Sequence, residues 1–241
     1  MSSLIKYTGV ILGVLLAFVV QAQEMGIDTY ELNSESNNLQ GKMLGEVITL
    51  DAEVNTYFLY PDDWVPGSLK FTNGNVFDNL RIRYQAFTDE LITYNKNGRF
   101  LYQIEKELVE SFTFQDGSQS RKFVRLTKNN NQQTNMYLEE LYKGTVSLMV
   151  NWYIYEQSVS PYKDKNGITR AVEYHLRKDY YLYTEQDGLT KIRLNRAALL
   201  SRFPENQRQI RKLLRQNKLH VNNEFTMVNA LRLLAENNLT E

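Results

Sequence analysis

Beyond Gly45 the spacing of apolar residues changes once along this chain, at Leu194. Before it they recur at every second position, as in a strand with one buried face. After it they recur at three and four, as in a helix with one buried stripe. A chain with this single switch buries both kinds of face by building a sheet first and packing helices on it afterwards. The clearest strand is TVSLMVNWYIYEQ. Val146, Leu148, Val150, Trp152 and Ile154 share one face, and Thr145, Ser147, Asn151, Tyr153 and Tyr155 share the other. NLRIRYQAF repeats the pattern, with Leu80, Ile82, Tyr84 and Ala86 set against Arg81, Arg83 and Gln85.

Turn pairs divide the strands. Asn73-Gly74, Asn97-Gly98, Asp116-Gly117 and Asp187-Gly188 are hairpin signals, because these residues tolerate positive φ. Between them GEVITL, NTYFLY, SLKF, ELITY, RFLYQIEKE, SFTF, KFVRLT, AVEYHLRKDYYLYTEQ and LTKIRL read as strands. PDDWVPG reads as a turn-rich break, and KNNNQQTN (128–135) and PYKDKNG as loops. MYLEELYKG fits either a strand or a helical turn ending at Gly144. The segments between turn pairs do not resemble one another, so the pattern is an antiparallel meander and not a repeat array. Beyond Leu194, Asn195 is placed to cap NRAALLSRF, and Pro204 stops that helix or opens the next. Ile210, Leu213 and Leu214 form a stripe. Asn222 and Asn223 can cap a third helix with Phe225, Val228, Leu231 and Leu234 on one face. The expected fold is α+β: an antiparallel β-meander, as an open sheet or partly closed barrel, followed by two or three C-terminal helices. Charge interrupts the strands and the chain ends in helices, against a membrane β-barrel.

The chain opens MSSLIKYTGVILGVLLAFVVQAQE. One charge, Lys6, precedes an uncharged run from Gly9 to Val20, and Val20-Gln21-Ala22 offers small residues where a signal peptidase reads. The run is shorter than the ~20 residues that span a bilayer. The expected organisation is a signal peptide over 1–22, a flexible segment over 23–44, a β-rich body over 45–194 and a helical segment over 195–241 packed on the sheet. No transmembrane segment remains after cleavage. The chain has no cysteine. That excludes a lipoprotein anchor at the cleavage point, disulfides, thiolate nucleophiles and Cys-based metal sites. The expected address is the periplasm, the outer membrane or the medium.

Signatures of catalysis are absent. The sequence contains no His-Glu-x-x-His, Gly-x-Ser-x-Gly, phosphate loop or dinucleotide fingerprint, so no cofactor is expected. His175 shares a strand face with Glu173 and Arg177, and His220 follows a basic helix. Neither sits in a metal-ligand pattern, and no metal site is expected. Ser160-x-x-Lys163 lies beside Pro161 in a turn-rich stretch, away from the helix start that Ser-Lys chemistry needs. Asp164-x-Asn166-Gly167 reads as a turn. The carboxylate groups Asp62/Asp63, Glu105/Glu107/Glu110 and Glu139/Glu140 fit solvated strands and turns.

Charge carries one asymmetry. The whole chain has 28 basic and 28 acidic residues, and loss of Lys6 leaves a mature net of −1, which gives no reason to expect nucleic acid. Yet Arg196, Arg202, Arg208, Arg211, Lys212, Arg215 and Lys218 lie in one run opposed only by Glu205. The run is +6 and the rest of the mature chain −7. Arg208, Arg211, Lys212, Arg215 and Lys218 are thus a candidate basic docking face, or the solvated face of a helix whose leucines cover the sheet. Tyr153, Tyr155, Tyr181 and Tyr183 are candidate ligand-binding residues, lining a concave surface or tiling the sheet face under the helices.

The order PDDWVPGSLKFTNG, LRIRYQAFTDEL, YLEELYKGTVSLMV and YYLYTEQDGLTKIRLNRAALLSRF with a helical tail resembles uncharacterised secreted proteins of Bacteroidota-type Gram-negative bacteria. The resemblance implies export and a β-rich body, and it implies no activity. The expected function is that of an exported envelope protein, a non-enzymatic binding or structural module with an envelope protein, glycan or lipid as partner. The alternatives are an envelope-polymer hydrolase with a carboxylate pair and a periplasmic carrier of an apolar ligand.

Overall fold

The computed structural model describes residues 30–31, 42–43, 45–48, 59–94, 101–116, 119–130 and 132–240. The leader, most of the segment over 23–44, Asn97-Gly98 and Gly117 lie outside these residues. A two-residue ladder pairs β1 (Tyr30–Glu31) with β2 (Lys42–Met43). The remaining strands are β3 (Gly45–Ile48), β4 (Leu59–Phe71), β5 (Val76–Gln85), β6 (Glu90–Tyr94), β7 (Leu101–Ile104), β8 (Val109–Asp116), β9 (Gln119–Asn129), β10 (Gln132–Tyr142), β11 (Ser147–Lys163), β12 (Thr169–Thr184) and β13 (Gly188–Ile192). They form one 11-stranded sheet in the order β13-β12-β11-β10-β9-β8-β4-β5-β6-β7-β3. The helices are α1 (Arg196–Arg202), α2 (Gln207–Gln216) and α3 (Glu224–Glu236). This is the α+β arrangement expected, an antiparallel open sheet followed by three helices.

The order is two meanders, β4 to β7 and β8 to β13. They meet because the chain returns after β7, through a short 3-10 turn at Lys106–Leu108, to lay β8 beside β4. The sheet folds over on itself. The Tyr84 ring on β5 lies 6.0 Å from Phe112 on β8, 5.3 Å from Phe123 on β9 and 6.2 Å from Tyr137 on β10. At the other end the Leu189 N–H donates to Asn129 Oδ1 at 2.8 Å, tying β13 to the β9–β10 hairpin.

Two apolar clusters share one face of β11. Val150 and Trp152 belong to an aromatic cluster with Tyr84, Phe112, Phe114, Phe123 and Tyr137. Val146 and Leu148 belong to a second with Leu182 of β12, Ile210 and Leu214 of α2, and Met227, Leu231 and Leu234 of α3. The face expected from period two on β11 is buried through Trp152, with Ile154 half-buried at its end, and on the other face Ser147 and Met149 are buried as well.

Several local expectations change. PDDWVPG is not a break: β4 runs through it, with register shifts between Tyr60 and Val65 and between Gly67 and Leu69. Pro66 is tolerated there because β4 pairs at that position with β5 alone, so no ladder on the other side needs its missing N–H. KNNNQQTN is not a loop of that length. Gln132 pairs with Asn129, so the strands continue nearly to the tip, where Asn130 takes φ 53. MYLEELYKG is strand. β11 runs through Ser160-Pro161-Tyr162-Lys163, so no helical turn brings Ser160 and Lys163 together. Arg83 is buried, although its neighbours in the alternation face solvent, and its guanidinium lies 5.7 Å over the Trp64 ring.

Caps explain the helix starts. Asn195 accepts from the Ala198 N–H, and Asn223 with Thr226 forms a reciprocal capping box. Phe225 does not join the buried stripe of α3; it is 74% exposed. The stripe is Met227, Ala230, Leu231 and Leu234, and Phe225, two residues from Met227 on a 3.6-residue turn, points the opposite way.

Candidate functional site

Strand pairing sets one row straight across six strands: Leu69, Phe112, Phe123, Glu139, Val150, Tyr180 and, on a seventh, Ile192. Six members are apolar or aromatic and one is a carboxylate. Glu139 is only 2% exposed. Burying a charge is costly unless it is paired and hydrogen-bonded, and Glu139 is both. Its Oε1 takes Arg121 at 2.6 Å and its Oε2 takes the Trp152 Nε1–H at 2.7 Å. The Trp152 ring carries Lys178 Nζ at 4.1 Å from its centroid. Lys178 in turn pairs with Glu224 at 2.8 Å, and the Tyr180 hydroxyl donates to the same Glu224 oxygen at 2.7 Å. Glu224 opens α3. The network therefore clasps the helical layer to the sheet at the seam between the two apolar clusters.

The electrostatics suit a clasp. Burial pushes the Glu224 carboxyl up, but hydrogen bonds from Lys178 and Tyr180 and the nearby cations outweigh it and hold the group below its ordinary range. Burial and then the Glu224 carboxylate drive the Tyr180 hydroxyl upward, so it stays protonated and donates. The oxygens of Glu139 and the Glu224 Oε1 are thus taken up by donors within the fold.

A second polar node joins β5 and the β5–β6 turn to β10. Asp89, in a left-handed conformation at φ 58, accepts the Tyr84 hydroxyl at 2.6 Å, Lys106 Nζ at 2.6 Å and the Tyr137 N–H at 3.1 Å. Burial raises its carboxyl in spite of these partners. Its oxygens are taken up in holding the folded-over sheet together.

The tyrosines expected to bind ligand lie on β11 and β12 at odd positions. Tyr183 pairs with Ser147 and Tyr181 with Met149, while Tyr153 faces Arg177 and Tyr155 faces His175. They share the sheet face opposite to Leu148 and Leu182, turned away from the helices and not beneath them. Tyr155 is exposed, and Tyr153, Tyr181 and Tyr183 are half-buried. Burial, then Asp179, raises the Tyr181 hydroxyl.

The basic residues are all presented to solvent. Arg208, Arg211, Lys212 and Arg215 are exposed on α2 and Lys218 in the turn after it, while Ile210 and Leu214 face inward. Arg211 reaches Gln207 at 3.0 Å, and none of the five makes an ion pair among the described residues. Elsewhere ion pairs are common. The acidic groups noted in the sequence are dispersed: Glu139 and Glu140 leave opposite faces for Arg121 and Lys122, and Glu110 pairs with Lys70. Asp164 takes the N–H groups of Asn166 and Ile168 and the Arg170 side chain, which makes it a turn. His175 sits 3.4 Å from Glu173. No group of three or more potential metal ligands occurs among the described residues.

A cleft of about 740 Å³ opens where the β12–β13 turn meets the α1–α2 link. Glu185, Asp187 and Glu205 line it, with Phe203 and Val146. Arg202 pairs with Asp187, and its hydrogen bond, then its charge, holds that carboxyl low.

Sequence reading missed the Glu139–Trp152–Lys178–Glu224 clasp. One signal was available: in MYLEELYKG read as a strand, Glu139 alternates with Tyr137 and Leu141 and so falls on the apolar face. Lys178 and Glu224 carry no such signal. No family model, no curated protein and no solved structure matches this chain.

Proposed function

We propose that this chain is an exported cell-envelope protein that acts as a binding module, attaching through the basic stripe of α2 to an anionic component of the envelope. The single observation that carries the proposal is the set of cations at Arg208, Arg211, Lys212, Arg215 and Lys218, exposed and without carboxylate partners among the described residues. A solvated helix face usually mixes both signs, whereas α2 contains no acidic residue at all. The leader sequence supports export, and the −7 balance outside the run means that the attraction is local and not a property of net charge. The concave side of the sheet is filled by its own aromatic side chains, which favours surface docking over carriage of an apolar ligand.

The test is retention of the mature protein on immobilised heparin, a soluble-type polyanion. At low salt the protein is retained despite its net −1 charge, and Arg208→Glu with Arg215→Glu elutes at much lower salt. Flow-through of the wild-type protein, or an unchanged elution point for the variant, refutes the proposal. Cell fractionation with N-terminal sequencing tests export, with Gln23 as the expected first residue.

A further inference from the structure

We infer that the anionic component is a phospholipid surface, and that Phe225 enters it beside the headgroups contacted by α2; this rests on the reading of the basic stripe above. Ile210 and Leu214 of α2 and Met227 and Leu231 of α3 are buried in one cluster. The side chains opposite those stripes are exposed. On α2 they are Arg208, Arg211, Lys212 and Arg215. On α3 the opposite position holds Phe225, at 74% exposure the most exposed large apolar side chain among the described residues. A helix that buries Met227, Ala230, Leu231 and Leu234 thus leaves one aromatic ring in water, with apolar area to gain at a membrane interface.

Two features favour a lipid plane over a compact acidic partner. The cations recur at three and four, so from Arg208 to Arg215 they form a stripe about 10 Å long and not a cup around one group. The charge is also segregated: the run over 196–218 is +6 and the remaining mature chain −7. Near an anionic plane such a molecule orients with its helices down and its sheet away. Cations draw the helical layer to the headgroups, and a nearby apolar side chain then gains by leaving water.

The experiment is flotation of the full mature chain with two kinds of vesicle, phosphatidylglycerol mixed with phosphatidylcholine and phosphatidylcholine alone. The protein floats with the first and not with the second. Arg211→Gln with Arg215→Gln lowers the partition coefficient by about 25-fold, about fivefold for each cation. Phe225→Ser lowers it about tenfold and leaves elution from heparin unchanged, a separation that misfolding would not produce. Retention on heparin without flotation overturns the lipid assignment and leaves the basic docking face standing. Loss of both overturns both. Equal flotation of wild type and Phe225→Ser overturns the insertion.

Discussion

A single carboxylate in an apolar row shows what holds this molecule at the scale of residues. Glu139 survives burial because Arg121 and Trp152 each supply a donor. Removing one partner leaves the other charge buried and unmatched. Arg121→Ala should therefore cost about 3–5 kcal/mol, and Arg121→Met combined with Glu139→Leu should recover part of it, as a double-mutant cycle in urea would read. The second variant still removes the Glu139 acceptor of the Trp152 N–H, so recovery is incomplete by about 1–3 kcal/mol. Trp152→Ala should cost about 3–5 kcal/mol, since the ring is 6% exposed within the aromatic cluster. A loss well under 1 kcal/mol would mean that the ring is not part of the core.

Two half-buried carboxylates outside that row, Glu224 and Asp89, respond to acid in opposite senses. The folded Glu224 carboxyl lies below its ordinary value of 4.5, so its contribution is present above pH 4.5 and is lost as the pH falls through the lowered folded value. The stability difference between wild type and Glu224→Gln should thus be largest near neutral pH and shrink in acid. A difference independent of pH would show that Glu224 does not act through its charge. Asp89 is raised from 3.8, so its charged form is disfavoured in the fold. Its contribution is greatest below pH 3.8 and declines as the pH rises through the folded value.

At the scale of elements, strand contacts depend on two glycines. A Cβ on Gly67 would stand 2.3 Å from Ile82 Cδ1 and 2.4 Å from the Thr113 carbonyl oxygen, between β5 and β8. Backbone on one side cannot yield without parting the ladder that joins the two meanders. Gly67→Ala should cost at least about 2 kcal/mol and lower the Tm measurably. Gly188 has φ 68, and its Cβ would meet Asn129 Oδ1 at 2.3 Å, the atom that accepts the Leu189 N–H. Gly188→Ala should therefore cost more than the ~1–2 kcal/mol of the left-handed conformation alone. The capping residues Asn195 and Asn223 were legible from sequence, because a cap and its helix lie within four residues of each other. The continuation of β4 through Pro66 was not. Whether a proline ends a strand depends on whether a neighbour needs its N–H, and that neighbour, β8, comes from far along the chain.

For the molecule as a whole, the helical layer has two sides of different character. One side closes the end of the sheet, held by Glu224 against Lys178 and Tyr180. The other presents Arg208, Arg211, Lys212 and Arg215. Exposed charges are screened within about 8–10 Å at physiological salt, so the docking proposed for this side should weaken steeply as salt rises while folding stability changes little. Parallel titrations of heparin elution and thermal unfolding against salt would separate the two.

The sequence by itself determined the strand-then-helix order, the buried face of β11, the helix caps, the hairpin at Asn73-Gly74 and the basic run. Each depends on periodicity, propensity or charge within a few residues. Only the tertiary structure decided that β8 lies beside β4, that Glu139 is buried and satisfied, and that Phe225 faces solvent. The clearest strands carry the same two-residue period, so the period cannot say which strand pairs with which. Pairing follows from how much surface the whole sheet buries when it folds over, and a buried carboxylate finds its partners only after that pairing exists.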